Sequence, residues 1–93
     1  MPSRLISKNV TVGRHRTSMR LEAELWDALA EIAARENLSV NEVCTRVRRM
    51  HQGSGLTSAI RILLISYFRA KAGTAAPASF DDLLGQTFPG RAR

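Results

Sequence analysis

Three residues at alternate positions, Arg16, Ser18 and Arg20, pose the first chemical question. If "RHRTSMRLE" is extended, successive side chains take opposite faces. These three then share one side, while Thr17, Met19 and Leu21 share the other. A guanidinium is a planar fork of donors that fits paired acceptors. Two forks with a hydroxyl between them, and no acid anywhere before Glu22, make a face for a polyanion. A second anion-binding feature follows at "SVNE", Ser39 to Glu42, which has the pattern of a helical capping box. Beside such a cap the first helical amides, here those of Val40 and Asn41, have no partner within the helix, and the helix dipole favours negative charge.

Other chemistries find little support. His15 and His51 lie far apart with no Cys or acid at ligand spacing, so no metal site is expected. Cys44 is the one cysteine; it sits on an apolar helical face and reads as core. No Ser/His/Asp set, carboxylate pair or Gly-rich phosphate loop can be assembled, so the chain is not expected to be an enzyme or to carry a cofactor.

At 93 residues, 44% hydrophobic and only 5% aromatic, the chain suits one small, mainly aliphatic domain. The net charge of +6 is unevenly distributed. Residues 1–20 carry only bases, residues 21–36 are net acidic, and residues 37–72 are basic again. One face for a polyanion and another for water follows from that pattern. No apolar signal core opens the sequence, and the run from Ile62 to Phe68 is too short to span a bilayer. A reducing cytoplasm is the expected compartment, with no membrane partner.

The polyanion face needs elements to hold it. From Glu22 the apolar period turns helical, with Leu25, Leu29, Ile32 and Ala33 on one stripe, and Asn37 is suited to a left-handed stop. The second helix, capped by Ser39, turns Val43, Cys44 and Val47 inward and Arg46, Arg48 and Arg49 outward. "HQGSG", 51–55, breaks it. Thr57 is placed to cap a third helix, Ser58 to about Lys71, which is apolar around more than half its circumference and needs more cover than two short neighbours supply. Trp26 is expected at the packed edge of the first helix.

The strand read at Thr17–Leu21 lacks an obvious mate. Val10–Val12 is a candidate strand that "GRHR" could turn back on it, but that loop lacks Asn-Gly or Asp-Gly chemistry. The economical alternative is a second copy, giving an antiparallel ribbon across a two-fold axis.

Strand, helix, capped turn and helix together resemble the ribbon-helix-helix DNA-binding proteins of the Arc/MetJ type. "TSMRLEAELWDALAEIAARENLSVNEVCTRV" carries the likeness, and "LTSAIR" with a front close to "GHRTS…LE…W" resembles a bacterial subfamily with an interrupted second helix; "GRHRTS" departs from that front by Arg14 between Gly13 and His15. The resemblance implies a mostly α fold with a short N-terminal strand. It also implies an intertwined homodimer with an intermolecular two-stranded ribbon, and here a third helix. It implies a transcriptional regulator, a repressor of bacterial or phage type acting at the nucleoid, whose ribbon enters the major groove of double-stranded DNA. By position, Arg16, Ser18 and Arg20 would contact bases, and Ser39, Val40, Asn41 and Arg14 phosphates. Met19, Leu21, Leu25, Leu29, Val43, Val47, Ile60 and Leu64 would form the dimer core.

The expected organisation is a flexible basic arm over 1–13, a ribbon-helix-helix domain over 14–71, and over 72–93 a linker and mostly disordered tail with a short helix at 80–84. Two rivals stand beside this reading. One is an antitoxin-like or adaptor protein whose residues 73–93 hold a protein partner while the ribbon binds operator DNA. The other is a monomeric three-helix helix-turn-helix fold.

Overall fold

The computed structural model describes residues 4–51, 53, 55–73 and 77–89. Strands β1 (Leu5–Val12) and β2 (His15–Glu22) are followed by helices α1 (Ala23–Glu36), α2 (Val40–Met50), α3 (Leu56–Ala72) and α4 (Phe80–Thr87). The mate of the charged strand therefore comes from the same chain. β1 and β2 pair antiparallel from Leu5↔Glu22 to Val12↔His15, and the stretch read as a loose arm is a strand from Leu5 onward. The remainder of that expected arm, 1–3, lies outside the described residues.

The turn is tighter than the "GRHR" loop suggests. It has two central residues, Gly13 and Arg14, rather than four. Gly13 has φ 62°, while Arg14 is not among the positive-φ residues. Glycine at the first central position is the signature of a type II′ turn, whose twist matches that of paired strands. Asn-Gly chemistry belongs to the other primed turn.

Pairing fixes the faces. Val10, Met19 and Leu21 are buried, joined at the margin by Ile6 and Val12. Behind them lie Leu29 and Ile32 of α1, Val43, Cys44 and Val47 of α2, and Ile60, Leu63, Leu64 and Tyr67 of α3. Trp26 is buried and its Nε1 donates to the Ile6 carbonyl at 2.8 Å, so it clamps the start of β1 instead of only edging α1. The residues assigned to a dimer core are thus buried inside one chain: Met19, Leu21, Leu29, Val43, Val47, Ile60 and Leu64, with Leu25 half-buried. A second copy is not what hides them.

Helix ends follow local chemistry. Asn37 takes φ 63° and closes α1 with its own N–H on the Ala33 and Ala34 carbonyls. Ser39 Oγ accepts from the Glu42 N–H at 3.0 Å and Glu42 Oε1 accepts from the Ser39 N–H at 2.7 Å, the reciprocal cap expected. Ser39→Ala is expected to cost about 1 kcal/mol, a fall of roughly 4–8 °C in Tm for a domain this size, measurable by thermal circular dichroism. Thr57 does not cap α3; the helix begins at Leu56 with Gly55 as N-cap and no side-chain cap. Ser79 does cap α4, accepting from the Asp82 N–H. The helix runs past the expected end at 84, to Thr87.

The C-terminal segment supplies the cover that α3 demanded. Phe80, Leu83, Leu84 and Phe88 are buried, with Phe88 packed against His51 at 5.0 Å between ring centroids. Residues 80–88 are therefore part of the domain, not a free tail; the expected disorder at 90–93 falls outside the described residues. Ile62 and Ile65 of α3 stay 46% and 61% exposed, so its apolar demand is met only in part.

Candidate nucleic-acid interface

Alternation in β2 puts Arg16, Ser18 and Arg20 on the face away from the helices, and all three are exposed. Directly opposite residues in an antiparallel pair share a face. The register therefore adds Thr11 beside Arg16, Asn9 beside Ser18 and Ser7 beside Arg20. The outer face is two rows of polar side chains with a guanidinium toward each end and the Asn9–Ser18 pair between. Ser18 Oγ donates to Asn9 Oδ1 at 3.2 Å. Glu22 lies at the end of the same row, where Arg61 pairs with its carboxylate at 2.9 Å. A backbone hydrogen bond, and then that guanidinium, hold the Glu22 carboxyl below its usual range. The one acid bordering the face is thereby matched by a base.

Helix α2 is tied to the hairpin at its own N-terminal end. Asn41 Oδ1 accepts from the Thr11 N–H, and Thr45 Oγ1 from the Gly13 N–H, each at 2.9 Å. These bonds occupy outward-pointing amides of β1 and of the turn. They also bring the first turn of α2 to the flank of the ribbon. With the cap using the amides of Ser39 and Glu42, those of Val40 and Asn41 remain at the head of the helix without an i−4 carbonyl. Arg14 stands exposed in the turn itself. Ribbon residues and expected phosphate residues are thus gathered on adjoining parts of one surface.

Sequence reasoning found the β2 row but not Ser7, Asn9, Thr11 or Thr45. The "Gly-X" turn was the signal that could have shown them, because it sets the register that pairs the two strands. Among the outward arginines of α2, Arg46 bonds Asp81 of α4 at 2.9 Å. That exposed pair links α2 to α4 but adds little energy.

Elsewhere the chemistry is structural. Burial pushes the Cys44 thiol up to about 11, which keeps it protonated and inert. Burial, then the hydrogen bond to Glu36 at 2.6 Å, pushes the Tyr67 hydroxyl up to about 12. Among the described residues no group of His, Cys, Asp and Glu is arranged to hold a metal, and no helix is long and apolar enough to cross a membrane.

A solved structure of an uncharacterised protein from Bordetella pertussis Tohama I is similar, with a TM-score of 0.69 and 28% identity. The match covers 82% of this chain and 65% of that one, so the chain spans less than two thirds of that protein's length. No protein of curated function matches. The ribbon-helix-helix domain family matches residues 5–68, from the first strand almost to the end of α3. The chain belongs to the ribbon-helix-helix domain family, a family of DNA-binding regulators.

Proposed function

We propose that the protein is a sequence-specific transcriptional regulator, a repressor, acting on DNA in the cytoplasm. One observation carries the reading: the exposed Arg16–Ser18–Arg20 row lies on a two-stranded ribbon whose flank is tied to the head of a capped helix. Neighbouring strands are about 4.8 Å apart, and a two-stranded ribbon fits the roughly 12 Å wide major groove. Arg16 and Arg20 take guanine O6 and N7 in bidentate fashion, and Ser18 accepts several bases. The phosphates bordering the groove meet the amides of Val40 and Asn41, with Ser39 and Arg14 nearby.

Ribbon-helix-helix domains typically bind DNA as dimers. A homodimer would read a two-fold or repeated site. It would also give the exposed Ile62 and Ile65 a place to be covered.

Arg20→Ala is the direct test. The substitution should weaken binding to a duplex selected by the wild type roughly tenfold or more while leaving the melting curve unchanged, since the side chain is exposed. Titration at fixed salt by fluorescence anisotropy measures it. Wild-type affinity in the variant would defeat the groove assignment.

A further inference from the structure

A ribbon with both strands in one chain changes which residues can read DNA. Were two hairpins joined edge to edge through β2, the four strands would span about 14 Å between outer axes before side chains are added. That is wider than the roughly 12 Å major groove. A single hairpin fits. Its outer face then offers bases six side chains, three of them from β1: Ser7, Asn9 and Thr11.

We propose that β1 is a second reading strand and that Asn9 selects an adenine through the major groove. This rests on the DNA-binding reading above and goes beyond it. Asn9 is exposed at the middle of the ribbon, across from Ser18. Its Oδ1 accepts the Ser18 hydroxyl at 3.2 Å, which steadies the side chain. A carbonyl oxygen has two lone pairs and the amide nitrogen two protons. One lone pair and the amide N–H groups therefore remain, enough to accept from adenine N6 and donate to N7 while the Ser18 bond persists.

Position along the ribbon gives the pattern. Arg16 and Arg20 are four residues apart on β2, about 13 Å at ~3.3 Å per residue. That matches about four base-pair steps of 3.4 Å. The Asn9–Ser18 pair lies midway. The preferred site should therefore carry guanines toward its two ends and an A·T pair between them, all read by one chain.

The experiment is selection from a duplex pool with a randomised core, carried out with wild type, Asn9→Ala, Asn9→Thr and Arg20→Ala. Thr is a good strand former, so that variant keeps the hairpin should Ala loosen it. Expected is a wild-type motif with both guanines and the central adenine. Both Asn9 variants should keep the guanines and lose the central preference, with roughly tenfold weaker binding to the wild-type motif and an unchanged salt slope. Arg20→Ala should lose one guanine. Asn9 variants that select the wild-type motif, or that weaken every duplex alike, would overturn the β1 assignment while leaving the arginines in place. Arg20→Ala selecting the wild-type motif would instead remove the DNA-reading basis of both.

Discussion

Leu21→Ala is expected to destabilise the protein by about 2–5 kcal/mol, the usual range for emptying a fully buried leucine site. Leu21 is 0% exposed. It is the last inward residue of β2 before α1 begins, so the cavity would open where the ribbon meets the helices. Small domains have only about 5–15 kcal/mol of net stability, and one of this size loses roughly 4–8 °C of Tm per kcal/mol. The variant should therefore melt on the order of 10 °C lower or more, with its denaturant midpoint lowered in parallel. Arg20, the preceding residue, makes the contrast. Its truncation should cost DNA affinity and leave the melting curve alone, whereas Leu21→Ala should bind normally at temperatures where it is still folded. Equal stability for the two variants would show that the faces of β2 have been assigned the wrong way round.

Phe88→Ala is expected to cost about 3 kcal/mol, the low end for a buried aromatic because a segment near the chain end can settle partly into the gap. If Phe88 lay in a disordered tail, as expected beyond the helix at 80–84, the same change would be neutral. Phe88 is 4% exposed and follows directly on α4, whose Phe80, Leu83 and Leu84 pack on the domain with it. Urea unfolding of the full chain decides between the two. The result bears on the adaptor reading as well. Truncation at Gly73 would strip four buried apolar residues and damage the domain. Loss of a bound protein after that truncation would then be ambiguous. Substitution of the exposed Asp82 or Gln86 of α4 tests a partner surface without touching the core.

Much of this molecule was legible from local pattern. Alternation in "HRTSMRLE" placed Arg16, Ser18 and Arg20 on one face and Met19 and Leu21 on the other, because strand side chains alternate whatever the strand pairs with. Asn37 and Ser39 announced the end of α1 and the start of α2, because capping is satisfied within a few residues. Ser79 caps α4 in the same local way.

What local pattern could not settle was who covers whom. The sequence by itself determined the charged row, the capped helix head and an α3 too apolar to stand alone. Only the tertiary structure decided that β1 is the mate of β2, that Asn9 stands beside Ser18, and that residues 80–88 cover part of α3. The physical reason is that burial and cross-strand pairing are set by distant partners. A glycine turn at 13–14 brings Asn9 across to Ser18, and a helix that starts 30 residues after Met50, the end of α2, returns to bury Phe88 against His51.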